Sequence, residues 1–91
     1  MKKLHVPPHI TTTVFEGSSI ILDSRKNIYY ALNDTAATFW NFLVELGSLE
    51  SAIAETSKIY NAPPDAIEHD MNNLLNSLIL AGFIETNEKK V

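Results

Sequence analysis

The residues of this chain that could do acid–base or metal chemistry are three histidines and one group of carboxylates. His5, His9 and His69 do not form a metal-binding pair, which would set two histidines four residues apart on a helix beside a carboxylate. His5 and His9 flank Pro7 and Pro8, in a segment poorly suited to a helix, and read as solvent-exposed. Asp65, Glu68, His69 and Asp70 fall within about one and a half helical turns, yet their directions around a helix diverge, so they read as a solvated first turn. The 91 residues include no cysteine, which excludes a disulfide framework, a thiol nucleophile, a Cys-ligated zinc and an iron–sulfur cluster. Gly17, Gly47 and Gly82 are the only glycines. Each stands at a turn or helix end, so no glycine-rich phosphate loop can form. Serines and threonines are plentiful, but a nucleophile needs a base and an orienting acid inside a cleft, and a chain this short has little wall to build one. We expect no enzyme, no cofactor and no metal site.

Recognition of another chain is the chemistry left. Tyr29 and Tyr30 stand together in a short β-like run, and the last helix carries more apolar surface than one packing contact uses. A sheet edge beside such a helix can take an extended peptide as a further strand, with main-chain hydrogen bonds from the edge and side-chain pockets from the helix.

The elements that must position these residues follow from the pattern. β-Branched and aromatic residues at Thr11 to Glu16 predict a first strand, ended by the turn residues Glu16-Gly17-Ser18. Ser19 to Asp23 is a second strand. The polar group Ser24-Arg25-Lys26-Asn27 separates it from a third, Ile28 to Leu32. Connections this short favour an antiparallel meander. Alternation puts Ile28, Tyr30 and Leu32 on one face, Tyr29 and Ala31 on the other.

Asn33 and Asp34 are helix-capping types, and Ala36, Phe39, Trp40, Leu43 and Leu46 keep helical spacing up to Gly47. Ser48 caps a second helix, with Leu49, Ala52, Ile53, Thr56, Ile59 and Tyr60 as its apolar positions and Asn61-Ala62-Pro63-Pro64 as its breaker. Pro64 and Asp65 suit the start of a third helix over about Asp65 to Ala81, closed by Gly82. Its apolar stripe is Ile67, Met71, Leu74 and Leu78, with Leu75 and Ile79 to one side and Asp70 and Ala81 to the other. Phe83-Ile84-Glu85 could close as a short strand. Strands followed by helices predict an α+β fold, a three-stranded antiparallel sheet packed on three helices.

Apolar residues are 45% and charged residues 20% of the chain, the balance of a single folded domain. No apolar run approaches a membrane span, and the first residues lack the apolar stretch of a signal peptide, so the chain reads as cytoplasmic. The net charge is −4, and from Asn27 to Glu88 Lys58 is the single cation against nine carboxylates. A polyanion is repelled by such a surface, and neither the second nor the third helix offers the cationic face of a winged-helix DNA reader, so nucleic acid is not an expected partner.

The order of residues resembles the PqqD-like family, small winged-helix domains that recognise the leader of ribosomally made, modified peptides. The resemblance rests on Ile21-Leu22-Asp23, the run Tyr29-Tyr30-Ala31-Leu32-Asn33, Ala37 and Trp40, the helix Ser48 to Tyr60, the Pro-Asp opening of the third helix, Asp70, Leu74 and Leu78, and the closing Gly82-Phe83-Ile84. It covers about residues 11–85, between a flexible lead-in over 1–10 and a polar tail over 86–91. The family's frequent glycine early in the first helix is replaced in this chain by Ala36 or Ala37. Within the family the chain looks most like the free-standing leader-binding protein of split lasso-peptide maturation systems; relatives serving quinone-cofactor synthesis and radical enzymes are close in pattern.

The resemblance implies a winged helix-turn-helix-like fold and two partners, a precursor leader peptide and a separate leader peptidase or other modifying enzyme. It implies no membrane partner, and the exposed edge leaves room for a homodimer. The leader would pair with the backbone of Ile28, Tyr29, Tyr30, Ala31 and Leu32, in a groove walled by Tyr29, Tyr30, Asp70, Met71, Leu74, Leu75 and Leu78. On that placement Leu75→Asp is expected to abolish leader binding with the fold retained.

Overall fold

The computed structural model describes residues 4–15 and 18–86. In chain order the elements are β1 (Leu4–His5), β2 (Ile10–Phe15), β3 (Ser18–Asp23), β4 (Ile28–Leu32), α1 (Asp34–Leu46), α2 (Leu49–Tyr60), α3 (Pro64–Ala81) and β5 (Glu85–Thr86). The architecture is the expected α+β one. Strands β2, β3 and β4 form an antiparallel sheet in that order, and β1 pairs separately with β5. The expected turn at Glu16 and Gly17, and the tail beyond Thr86, lie outside the described residues.

Register fixes the two faces of the sheet. Thr12 lies opposite Ile21 and Ile21 opposite Tyr30, and on that face Ile21 and Leu32 are buried with Phe39, Trp40 and Leu43 of α1. Trp40 is the largest fully buried side chain, and its indole Nε1 donates to Thr12 Oγ1 at 2.8 Å. That bond satisfies the one polar atom an indole carries into a core and ties α1 to the sheet.

The helices start and stop where local chemistry allows. Asn33 accepts the Ala36 N–H at 2.9 Å to cap α1, and Ser48 accepts the Ser51 N–H at 3.3 Å to cap α2. Gly47 and Gly82 end α1 and α3 with φ of 68° and 86°, a left-handed conformation that costs glycine little. Along α2 the buried set is Ala52, Ile53, Thr56 and Ser57, while Ile59, expected on the apolar face, is exposed. The two hydroxyls can be buried because each donates within the helix, Thr56 to the Ala52 carbonyl at 2.7 Å and Ser57 to that of Ile53 at 2.8 Å.

The ends of the chain depart from expectation. Residues 4–10, expected as a flexible lead-in, include β1, in register with β5 through Leu4↔Thr86 and His5↔Glu85, and Val6 packs on the core. Phe83 and Ile84, expected in the closing strand, are instead buried core residues just before it.

Candidate functional site

Strand β4 is an edge of its sheet, bonded to β3 alone among the described strands, so the outward N–H and C=O groups of Ile28–Leu32 have no strand partner there. Its side chains divide strictly. Leu32 is core, Tyr30 packs half-buried on the core edge-on to Phe83 with ring centroids 6.1 Å apart, and Ile28, Tyr29 and Ala31 are exposed.

Helix α3 runs antiparallel to this strand. Near the end of β4, Asn33, Thr35 and Ala36 meet Ile67, Asp70, Met71 and Leu74 of α3 and Tyr60 and Ala62 of the α2–α3 junction around a cavity of about 450 Å³. Near its start, Asp23, Arg25 and Lys26 of the β3–β4 turn face Ile79, Gly82 and Ile84. The strand and the helix therefore border a groove with a cavity at each end, about 450 Å³ beside Asn33 and about 380 Å³ beside the β3–β4 turn.

The expected groove walls separate into four groups. Asp70, exposed, and Leu74, half-buried, line the cavity, while Tyr30 is half-buried against Phe83 and is not part of that lining. Met71 lines the same cavity although only 5% of its surface is exposed. Leu75 and Leu78 are exposed by 3% and 0% and belong to the core, so they offer a peptide no side-chain surface and Leu75→Asp becomes a folding defect. The helical wheel places Leu74 in the central stripe and Leu75 beside it, whereas α3 is rolled so that Leu75 faces inward. Tyr29 is on the sheet face opposite the groove, as strand alternation demands, and is not one of its walls.

Asn33, Thr35, Ala36, Tyr60 and Ala62 also line the cavity, and none of them is among the residues expected there. Tyr60 carries a signal, an aromatic residue at the end of a helix before a Pro-Pro break, but its helical spacing assigns it to the packed face. Its hydroxyl is held by Thr38 Oγ1 at 3.0 Å, which fixes the ring at the cavity mouth.

The electrostatics lie at the other end. Asp23 is fully buried, and its Oδ1 accepts the N–H groups of Arg25 at 2.9 Å and Lys26 at 3.0 Å. Its Oδ2 is 3.9 Å from His9 Nε2 and has no hydrogen-bond partner. Burial pushes the carboxyl pKa up, but the two backbone donors with the charges of His9 and Lys26 outweigh it and hold the group below the usual carboxylate range. His9 is thus half-buried, while His5, His69, Asp65, Glu68 and Asp70 are exposed. Among the described residues no three His, Asp or Glu side chains converge as a metal site requires, and no helix is long and apolar enough to cross a membrane.

Residues 18–84 match the family described as coenzyme PQQ synthesis protein D (PqqD), and the chain belongs to that family. Two solved structures share its fold. One, described as a lasso peptide synthetase B1 complexed with the leader peptide, is 25% identical with a TM-score of 0.79, over 91% of this chain and 98% of that one. The other, TbiB1 in complex with the TbiA(beta) leader peptide, is 15% identical with a TM-score of 0.77, over 93% of this chain and 98% of that one. No curated protein matches the sequence.

Proposed function

We propose that this chain binds the leader segment of a ribosomally made precursor, of the lasso-peptide kind, as an antiparallel strand added to β4, and presents it to a separate processing enzyme. The observation that carries this reading is the unpaired β4 edge running beside α3 with a partly apolar cavity at its end, walled by Ile67, Met71 and Leu74 and rimmed by polar groups such as Asn33 and Asp70. The likeness to a B1 protein bound to its leader favours the lasso type over a pathway built on a radical enzyme.

The division of labour follows from the geometry. Backbone groups of Ile28 to Leu32 supply a ladder blind to sequence, and the cavity lined by Asp70, Met71, Leu74 and Tyr60 takes an apolar anchor that supplies choice. A disordered leader loses conformational freedom on docking, so affinity must come from a few anchors plus that ladder. The chain itself does no chemistry on the peptide. A homodimer through β4 would use the same edge and compete with the leader. DNA is disfavoured, because α3 carries no cation and Lys58 of α2 is already paired with Glu55 at 3.1 Å.

The test is a fluorescence-anisotropy titration with the labelled leader of the precursor encoded beside this chain, and a random DNA duplex as control. Saturable binding of the leader alone, at about micromolar concentration or tighter, is expected. A folded chain that ignores the leader both alone and with the processing enzyme present would sink the reading.

A further inference from the structure

The outer face of the sheet has no part in the groove, yet it is built like a binding surface. Its rows, set by register, are Thr11, Leu22 and Tyr29, then Thr13, Ile20 and Ala31. No charged side chain stands in either row, and no described element covers them. Tyr29 is 71% exposed, and with Thr13, Ile20 and Leu22 it borders a shallow depression of about 410 Å³. A sheet face turned to water is ordinarily polar, because each strand alternates apolar inward and polar outward; in this sheet the half of the outer face nearest the β4 edge is apolar.

We propose that the peptide added to β4 is read on both faces, by apolar side chains at consecutive positions: one alternate set enters the groove beside α3, and the other lies on Tyr29 and Ala31 and reaches Ile20 and Leu22. The inference rests on the leader reading above and names the chemistry of the peptide it requires. An added strand must send every second side chain to each face, and a residue directly opposite another on the neighbouring strand comes within about 5 Å of it, Cβ to Cβ. The outward residues of the peptide thus meet Tyr29 and Ala31 as a consequence of the pairing itself. Ala31 contributes a single methyl between the edge and Ile20, which leaves the depression open to a large side chain arriving from the peptide. With no ionic group in the rows, the outward residues it fits are aromatic or branched aliphatic rather than basic or acidic. The bound leader would be a strand apolar on both sides, the pattern of a central strand rather than an edge one.

The experiment is an alanine scan of the labelled leader of the precursor encoded beside this chain, titrated against the full chain and the variants Tyr29→Ser, Ala31→Glu and Leu74→Ser. Tyr29 and Ala31 are exposed, so their variants should fold, which circular dichroism checks. Losses at consecutive positions are expected, about threefold to tenfold each for the outward set. Those losses should vanish in the Tyr29→Ser background and persist in Leu74→Ser, while the inward set behaves in reverse. Ala31→Glu should weaken the unaltered leader and spare the leader whose facing residue is alanine. Losses confined to alternate positions and coupled to Leu74 alone would overturn the two-sided reading, keep the leader reading, and leave the outer face to a protein partner. An unaltered chain that binds no leader would overturn both.

Discussion

The two ends of β4 are built on opposite principles. At its start the β3–β4 turn is closed by polar saturation: the buried Asp23 carboxylate gathers the N–H groups of Arg25 and Lys26, and Lys26 Nζ lies over Gly82, 2.8 Å from where a Cβ would stand. That lysine brings a cation to the end of α3, whose last turn has none of its own. At its far end, beside Asn33, apolar side chains from three helices stop short of filling the space between them. Both ends keep a cavity, about 380 Å³ beside the turn and about 450 Å³ beside Asn33, but the first is lined mostly by charged side chains around the Asp23 hydrogen bonds and the second mostly by apolar ones, which suits it as a receptacle.

The largest effects should come from the core that both ends share. Leu75→Asp buries a charge at a 3% exposed site and should leave the chain unfolded by circular dichroism; Trp40→Ala should cost about 3–5 kcal/mol in denaturant melts. A well-folded Leu75→Asp that merely loses the leader would restore Leu75 to the groove and contradict the inward roll of α3.

Asp23→Ala should come next in stability, because two turn N–H groups lose their acceptor, with leader affinity of the folded fraction unchanged. Asp23→Asn should be milder, since the amide oxygen still accepts. The pH dependence has a definite sign. With its folded pKa depressed, Asp23 contributes stability above the unfolded carboxylate value of about 3.9 and loses it as the pH falls from there through the folded value. Acid melts of Asp23→Asn should therefore be flatter below about pH 4 than those of the unaltered chain.

At the Asn33 end the ranking should invert. Leu74→Ser is expected to weaken leader binding about tenfold while lowering the melting temperature less than Asp23→Ala does. If each variant moved both quantities equally, the two ends would not be distinct.

Gly82→Ala is expected to cost about 1–2 kcal/mol for a left-handed residue with a side chain. Lys26→Met alongside it should change that little, because Lys26 is flexible and can move aside. Smallest of all, added salt should slow leader association if the leader is basic and leave dissociation nearly unchanged, since the excess carboxylates act mainly on encounter.

Much of the molecule is legible in its residues because local rules dominate there. Asn33, Ser48, Gly47 and Gly82 act as caps or stops through their own backbone and side-chain chemistry, and β4 runs over the predicted Ile28 to Leu32. Of the two buried hydroxyls of α2, Thr56 stands at an expected apolar position, whereas Ser57 is harder to see, because only a bond within the helix lets it pass as an apolar residue.

The sequence by itself determined the order of β2 to β4 and of the three helices, where those helices start and stop, the division of β4 into two faces and the excess of carboxylates. Each of these depends on neighbours within a few residues, or on composition. Only the tertiary structure decided how α3 is rolled, and so that Leu75 is core while Leu74 meets the groove. It also decided that Tyr60, Asn33 and Asp70 share one cavity, and which of the two faces of β4 turns outward. A helical stripe wider than one contact can be buried about several axes, and the choice among them is made by the shape of the α1 and sheet surfaces it packs on.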